Sequence, residues 1–240
     1  MDFIIPDFKK RQLNNYQKME FIFKEIEKNG LQDDKAMRLI LHSCCAPCSS
    51  HVISVLTEYF NITVLYYNPN IEPYDEYLKR KNEEIRFIKE FSEGGNTRHS
   101  LDLMDCDYDN DKFHEMVRGM EMLPEGGERC FLCYEERLRK AALVARDNGY
   151  DFFTTTLSVS PYKNAEKINE IGERLEKEIG VKFLYSDFKK KNGYLNSIKL
   201  SKEYNLYRQD YCGCIYSKRD SKCKECKKNS EKFDDCSTIK

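Results

Sequence analysis

Short apolar segments alternate with longer helical patterns along most of this chain. The apolar segments are rich in β-branched and aromatic residues and are bounded by Gly, Pro, Asn or Ser, as strands commonly are. The predicted strands are residues 39–41, 61–67, 99–104, 150–156 and 181–185. The predicted helices of the same region are residues 51–60, 75–91, 135–148, 165–179 and 195–204. This alternation predicts βαβ units, and therefore an α/β fold with a mainly parallel sheet and helices on both faces.

The length of 240 residues is sufficient for one large domain with short extensions. We predict a helical N-terminal extension at 1–36, a main α/β domain at 37–217 and a Lys- and Cys-rich tail at 218–240. The helix of the N-terminal extension is expected to end near Asn29 and Gly30.

The charge balance and the cysteine content narrow the classes of function. Net charge is −1 and mean hydropathy is −0.74, so no global basic field demands a nucleic acid, although the run 189–191 is basic. The N-terminus lacks a secretory apolar segment and no stretch of 18 apolar residues occurs, so we expect a cytoplasmic protein without a membrane partner. In a reducing compartment, eleven cysteines favour metal binding or redox chemistry over structural disulfides. Since there are only four histidines, a metal site would consist mainly of sulfur ligands, which points to zinc or an iron–sulfur cluster.

Three groups of cysteines fall at segment boundaries. Cys44, Cys45 and Cys48 follow the first predicted strand, where open α/β sheets bind ligands and where a helix N-terminus favours negative charge. Cys130 and Cys133 lie in a predicted loop that leads into the helix at 135. Two separated C-x-x-C pairs can supply four sulfurs to a zinc ion or to a 4Fe–4S cluster, and the spacing alone does not select the metal.

The third group is the sequence Cys212-Gly213-Cys214. A disulfide between cysteines one residue apart closes a very tight ring, for which Gly213 supplies the backbone freedom. Strained disulfides are labile and are often the catalytic ones, so we interpret Cys212 and Cys214 as a redox-active pair. The alternative is that both are further metal ligands.

Seven motifs in a single order resemble those of one known family, the QueH epoxyqueuosine reductases. The resemblance extends from about residue 39 to residue 217. The motifs are Leu41-His42-Ser43-Cys44-Cys45-Ala46-Pro47-Cys48, Tyr67-Asn68-Pro69-Asn70-Ile71, Glu76-Tyr77 with Arg80, Arg129-Cys130-x-x-Cys133-Tyr134, Phe153-Thr154-Thr155-Thr156-Leu157 with Ser160-Pro161-Tyr162-Lys163-Asn164, Asp187-Phe188-Lys189-Lys190, and Tyr207-Arg208-Gln209-x-Tyr211-Cys212-Gly213-Cys214.

The resemblance implies a Rossmann-like fold of the HUP type and a cobalamin-independent oxidoreductase. The implied reaction is the reduction of epoxyqueuosine to queuosine at the wobble position of tRNA, the last step of queuosine biosynthesis, with electrons from an external donor. The implied ligands of a 4Fe–4S cluster are Cys44, Cys45, Cys130 and Cys133, and Cys212 with Cys214 is the implied redox pair. Cys48 is a candidate ligand of an additional mononuclear iron, since some members carry Asp there.

Substrate contacts and a proton donor are expected at the loops that follow the strands. Candidate proton donors are Asp187, Tyr66, Tyr67 and Tyr211, although Asp187 is equally compatible with a helix N-cap and the tyrosines with core or base-stacking positions. Lys163, Arg208 and the run 189–191 are candidate phosphate contacts. The full set of expected substrate-binding residues is Tyr67, Asn68, Asn70, Ser160, Lys163 and Arg208.

Two other functions remain as alternatives. One is a zinc-stabilised RNA-binding module without redox activity. The other is an iron–sulfur-dependent tRNA thiolase, which is disfavoured because no Ser-Gly-Gly phosphate loop follows the first strand. Cys223, Cys226 and Cys236 in the tail are left unassigned.

Overall fold

The computed structural model describes residue 8 and residues 12–30 and 36–221. Within these residues the chain forms a five-stranded, all-parallel sheet in the order β3-β2-β1-β4-β5. The predicted Rossmann-like α/β fold is therefore confirmed. The strands are β1 (Met37–His42), β2 (Phe60–Tyr66), β3 (Leu101–Asp105), β4 (Phe152–Thr155) and β5 (Lys182–Phe183).

The order of the strands reverses between β1 and β4. The chain moves from β1 outward through β2 to β3 and then returns to the other side of β1, where His42 pairs with Thr155 at the ends of the two strands. In open α/β sheets the crevice at such a reversal, beyond the carboxyl ends of the strands, is where ligands bind. The residues that follow His42 and Thr155 therefore line the edge at which a site is expected.

Helices cover the sheet and connect its strands. Helix α2 packs against α3 and α7, whereas α5 packs against α6, β1 and β4. A 3₁₀ turn at Thr156–Val159 follows β4, and residues 215–221 are helical. The α-helices are α1 (Asn15–Lys28), α2 (Ala46–Leu56), α3 (Tyr74–Glu93), α4 (Asn110–Met116), α5 (Glu128–Asp147), α6 (Ala165–Ile179) and α7 (Gly193–Glu203).

Local signals set several boundaries as predicted. Helix α6 begins after Asn164, whose side chain accepts a hydrogen bond from the Lys167 N–H, and it ends at Gly180, which has a φ of +86°. The predicted bounds of α2, β5 and α5 are wrong, and α2 also ends at Leu56 rather than at residue 60. Helix α2 begins at Ala46 rather than at 51, since Pro47 lies in its first turn, where its missing N–H costs nothing. Strand β5 is limited to Lys182 and Phe183, and α5 begins at Glu128, so Cys130 and Cys133 lie inside this helix and not in a loop before it.

The N-terminal helix α1 packs on the main domain, with the Phe23 ring stacked on Tyr59 at 4.1 Å. The Asn15 amide donates to Glu166 on α6 at 2.9 Å. None of the helices in the described ranges is both long and apolar enough to cross a membrane. The predicted tail from residue 222 onward, with Cys223, Cys226 and Cys236, lies outside the described residues.

Candidate active site

Cys44, Cys45 and Cys48, which we call the cysteine turn, connect β1 to α2. Cys45 is the N-cap of α2, and the N–H groups of Cys48 and Ser49 donate to its carbonyl oxygen. The three sulfur atoms lie within 4.8 Å of one another, and those of Cys44 and Cys45 are 3.8 Å apart. Within the described part of the chain this is the one group of three or more His, Cys, Asp or Glu side chains close enough to hold a metal ion.

The three sulfurs of the cysteine turn have different pKa values, which favour one thiolate and two thiols. Hydrogen bonds from Cys45 and Cys48 hold the pKa of the Cys44 thiol well below its ordinary value, and the charge of Arg137 adds to this effect. Hydrogen bonding to Cys44, together with burial, raises the pKa values of Cys45 and Cys48. One thiolate supported by two thiols at a helix N-terminus is a ready binding site for a cation, which would displace the remaining protons.

Buried polar side chains fix the backbone of the cysteine turn. The ring of His42 contacts the Tyr67 carbonyl oxygen through Nε2 at 3.1 Å and the Thr155 hydroxyl through Nδ1 at 2.9 Å. A carbonyl oxygen only accepts, so Nε2 carries the hydrogen and Nδ1 accepts from Thr155. Burial lowers the pKa of His42 to about 3, and the imidazole is neutral at physiological pH. The Asn68 side-chain amide donates to the Ser43 carbonyl oxygen at 2.8 Å, and this hydrogen bond holds the backbone just before Cys44 in place.

The remaining four cysteines of the predicted site, which we call the paired cysteines, surround a small cavity. Cys130 and Cys133 come from the first two turns of α5, and Cys212 and Cys214 come from the loop before the last helical segment. The Gly126 N–H donates to Cys130 Sγ at 3.2 Å. Burial raises the pKa of Cys133 to about 12 and also raises that of Cys214. All four are free cysteines in this structure.

The Cys212-Gly213-Cys214 loop is held against the start of α3. The buried guanidinium of Arg80 donates to the carbonyl oxygens of Cys212 at 3.0 Å and Tyr211 at 3.4 Å, and the Glu72 N–H donates to the Gly213 carbonyl at 2.9 Å. Gly213 has a φ of +135°, and a Cβ there would lie 2.9 Å from Ile71. This position therefore requires glycine, in agreement with the backbone freedom expected from the sequence.

A cavity of about 490 Å³ lies between the cysteine turn and the paired cysteines. Its wall includes Cys44, Cys48 and Cys212. Lys163, only 8% exposed, places its ammonium 2.8 Å from Cys212 Sγ and 3.3 Å from the Glu125 carboxylate. Although burial opposes its charge, the neighbouring sulfur and Tyr134 raise the pKa of Lys163 well above its ordinary value. The cavity thus brings sulfur from both groups and a buried cation to one space.

Two buried guanidiniums, those of Arg129 and Arg137, lie beside the sulfurs, and sequence reasoning did not assign either a role. Neither has a carboxylate within salt-bridge distance in the described ranges, and each has a buried nitrogen without a hydrogen-bond partner. The charges of Cys133, Cys212 and Cys44 outweigh burial and raise the pKa of Arg137. Arg129, Cys133 and Arg137 are spaced four residues apart, so the helical period alone would have placed them on one face.

The predicted substrate-binding residues divide into two sets. Ser160, Lys163 and Arg208 line the large cavity. Asn68 is buried beneath the cysteine turn, and Asn70 packs against Gly213 beside the small cavity. Tyr67 is directed away from the large cavity toward α5, where its hydroxyl donates to Glu136 at 2.9 Å.

The predicted proton donors are also dispersed. Tyr211 lines the large cavity, but its hydroxyl donates to the Glu72 carbonyl, and burial raises its pKa to about 12. The buried hydroxyl of Tyr66 donates to the Tyr77 carbonyl. Asp187 is not among the residues that line the cavity, its nearest cation is Lys189 at 3.8 Å, and it is not the N-cap of α7, a position held by Asn192.

Two further residues, Gln209 and Glu84, lie at or beside the cysteine turn, and neither was predicted to belong to the site. The Gln209 amide donates to Cys45 Sγ at 2.8 Å across a separation of 164 residues. Glu84 on α3 is fully buried, and burial raises its pKa to about 8, opposed in part by the Ser49 and Ser43 hydroxyls. A buried carboxyl without a cationic partner is neutral below that pH.

The donor set fits a thiolate-bound metal centre. A tetrahedral ion with metal–sulfur bonds of about 2.3 Å places its ligands about 3.8 Å apart, the separation of Cys44 Sγ and Cys45 Sγ. The unpaired charge of Arg137 would be balanced by thiolates or by an anionic cluster. The structure places Cys130 and Cys133 with Cys212 and Cys214 around the small cavity, and not within 4.8 Å of the cysteine turn as a group.

Comparison with known proteins agrees with these features. The chain is 38% identical over 228 residues to the epoxyqueuosine reductase QueH of Staphylococcus epidermidis, covering 93% of this chain and 94% of that protein. It is 39% identical over 215 residues to that of Streptococcus pyogenes, covering 89% and 82%, and 36% identical over 185 residues to that of Thermotoga maritima, covering 75% and 89%. The family model described as epoxyqueuosine reductase QueH matches residues 39–220, which include every cysteine of both groups. The chain therefore belongs to the QueH family.

Proposed function

We propose that this protein is an oxidoreductase that reduces epoxyqueuosine to queuosine at the wobble position of tRNA. The observation that carries the proposal is the cavity of about 490 Å³, in which Cys44 and Cys48 of the cysteine turn and Cys212 of the paired cysteines face the same space. Pockets of this size accept one small molecule or one nucleotide. The relatives named above supply the identity of the substrate.

The reaction requires two electrons and two protons. Removal of the epoxide oxygen breaks two C–O bonds, leaves an alkene and releases water. Two thiols supply both requirements, since oxidation of Cys212 and Cys214 to one disulfide yields two electrons and two protons. An external reductant must then return the disulfide to the dithiol, so each turnover consumes one two-electron equivalent from an electron donor.

Lys163 is the charged side chain that contacts the sulfur of Cys212. Its ammonium lies 2.8 Å from Cys212 Sγ, and Lys163 lines the cavity, so it can pass a proton to the departing oxygen and recover one from the cysteine pair. Arg137 also lines the cavity, and its buried, unpartnered Nη2 is available to negative charge on that oxygen. We therefore assign Lys163 to the chemistry rather than to the phosphate contact expected from the sequence. Ser160 and Arg208 remain proposed substrate contacts.

The family resemblance supplies the cofactor proposal. Cys44, Cys45, Cys130 and Cys133 would hold a 4Fe–4S cluster, with Cys48 as a ligand of an additional mononuclear iron. Such a centre supplies one-electron transfer between the external donor and the cysteine pair. The thiolate-sharing sulfurs of the cysteine turn and the unpaired guanidinium of Arg137 support an anionic, sulfur-ligated group here.

The direct test is anaerobic purification followed by measurement of iron, zinc and acid-labile sulfide, together with the visible spectrum. About four irons with matching sulfide support the cluster, and further iron supports a second metal at Cys48. The same preparation, with dithionite as the electron source, is then incubated with tRNA that carries epoxyqueuosine. Nucleoside mass spectrometry should show the loss of one oxygen atom.

A zinc-stabilised RNA-binding module is the second candidate, because the 3.8 Å separation in the cysteine turn also suits a single tetrahedral zinc ion. Stoichiometric zinc without sulfide, combined with unchanged epoxyqueuosine, would establish that alternative and refute the reductase.

A further inference from the structure

Tyr162 stands at the mouth of the large cavity with its side chain in solvent. Its side chain is 77% exposed, although the residue contributes to the cavity wall. No described aromatic ring or cation packs against it. Its neighbour Lys163 is only 8% exposed and points inward to Cys212. In the turn that follows Pro161, the cation of Lys163 therefore faces the interior and the ring of Tyr162 faces solvent.

The size of the cavity leaves a polymeric substrate partly outside it. A volume of about 490 Å³ lies within the range for pockets that enclose one small ligand. An RNA that inserts one nucleotide must therefore leave the flanking nucleotides at the mouth. Single-stranded RNA is commonly bound by stacking its splayed bases on exposed aromatic rings, with basic side chains on the phosphates between them.

One exposed basic side chain, Arg208, lines the same cavity as Tyr162. It uses one guanidinium nitrogen to donate to Ser201 at 2.9 Å, so its other nitrogens remain available. The Lys189 ammonium donates to the Lys163 carbonyl oxygen at 3.2 Å and lies 3.8 Å from Asp187, so it is already engaged by this turn and its neighbour. The acidic groups on the wall are Asp210 and Glu125, and Glu125 is already paired with Lys163. An exposed aromatic ring and an exposed guanidinium on the wall of one cavity have the composition of a single-strand RNA contact.

We propose that Tyr162 is a stacking platform for the base next to the nucleotide that enters the cavity. This inference rests on the proposed function, and it identifies the residue through which a flanking base of the RNA would be bound. Stacking does not depend on the identity of the base, because every base offers a π-face. Tyr162 therefore contributes to the affinity for RNA and not to the electron transfer at the cysteines.

The first measurement is the affinity for a fluorescent anticodon stem–loop RNA that carries epoxyqueuosine, followed by anisotropy. Loss of one base–aromatic stack should weaken binding of Tyr162→Ala by roughly five- to hundredfold. Tyr162→Phe, which keeps the ring, should bind as the unsubstituted protein does. Tyr74→Ala is the matched control, since Tyr74 is another exposed tyrosine, at 52%, and does not line the cavity.

A second measurement locates the partner base. An abasic residue replaces the nucleotide on either side of epoxyqueuosine in turn. One of the two RNAs should bind the unsubstituted protein more weakly, and the same RNA should show no further loss with Tyr162→Ala, because the stack is already absent. The chain contains no tryptophan, so the fluorescence of Tyr162→Trp reports this site alone and should be quenched by the intact RNA.

The outcomes separate the two proposals. Equal affinity of Tyr162→Ala and the unsubstituted protein, or additive losses with both abasic RNAs, would overturn the stacking role while reduction of the intact RNA continued. If the unsubstituted protein neither binds nor reduces the intact RNA, the proposed function itself fails. The iron and sulfide content of Tyr162→Ala should be unchanged, and a loss of the metal centre in this variant would also contradict the inference.

Discussion

The cysteine turn and the paired cysteines differ in how the fold assembles them. The cysteine turn uses three residues of one strand-to-helix connection, and its sulfurs lie within 4.8 Å of one another. The paired cysteines come from the start of α5 and from a loop about eighty residues later, which Arg80 and Glu72 hold in place. Sequence spacing alone defines the first group, whereas the second depends on the tertiary fold.

The two groups also differ in electrostatic surroundings. Near the cysteine turn, His42 is neutral, and Glu84 is protonated below its pKa of about 8. The paired cysteines face the ammonium of Lys163 at Cys212. Arg137 lies near sulfurs of both groups. Closely spaced sulfur atoms are suited to binding a metal. A thiol next to a fixed cation is suited to redox chemistry, because the cation favours the reactive thiolate form. Variants in each group can test this division.

The largest expected effect is the loss of the metal centre from Cys130→Ala. If Cys130 joins the two groups through a shared cluster, its removal should abolish both the visible absorbance and turnover. Cys106→Ala is the control, because Cys106 is a free cysteine outside both groups. Full iron and sulfide content in Cys130→Ala would instead confine the metal to the cysteine turn.

Cys212→Ala should have the opposite combination of effects: the metal centre is retained and catalytic turnover is lost. The variant should retain nearly all of the absorbance of the cluster, because Cys212 is the proposed redox thiol, but should reduce epoxyqueuosine at less than about one thousandth of the original rate. Iron analysis and single-turnover mass spectrometry measure both quantities. Loss of iron would show that Cys212 is a ligand, which was the other interpretation of the sequence.

The same division explains what the sequence could predict. Alternating strands and helices gave the sheet, and the C-C-x-x-C spacing gave the cysteine turn, because both signals are local. The start of α5 was placed seven residues too late, since Glu128 to Cys133 lacks an apolar period that would show the helix. The error concealed the common face of Arg129, Cys133 and Arg137.

Long-range contacts were beyond the sequence. Gln209 reaches Cys45 from 164 residues away, and Lys163 meets Cys212 from a different loop. Tyr67 and Asn68 were expected at the substrate because they follow β2, yet one hydrogen bonds to α5 and the other supports the cysteine turn. A strand-end position indicates the edge of the sheet, but not the direction in which each side chain points.

Glu84 makes the free energy of unfolding of the protein depend on pH. Its pKa is raised from 4.5 to about 8, so between these values the folded state retains a proton that the unfolded state has released. The contribution of Glu84 is therefore complete below pH 4.5 and declines as pH rises toward 8, by at most about 1.4 kcal/mol per pH unit.

Glu84→Gln should remove this slope in urea unfolding measured across that range. Glu83→Gln is the neighbouring control, since Glu83 pairs with Arg86 at 2.9 Å and its pKa is lowered. A wild-type slope that persists in Glu84→Gln would show that the carboxyl is not neutral in the fold.

The smallest effect is expected at the paired cysteines from Lys163→Met, which keeps most of the side-chain volume and removes the charge. A hydrogen bond to a charged group contributes about 1.5–3 kcal/mol, so the reaction of Cys212 with iodoacetamide at neutral pH should slow by roughly ten- to hundredfold. Peptide mass spectrometry assigns the alkylated residue. Lys190→Met serves as the control, because Lys190 is an exposed lysine of the basic run 189–191, and Lys163→Arg should retain part of the rate. Unchanged alkylation in Lys163→Met would mean that the 2.8 Å contact does not stabilise a thiolate. The proposed contrast between a metal-binding turn and a cation-supported redox pair would then lose its electrostatic basis.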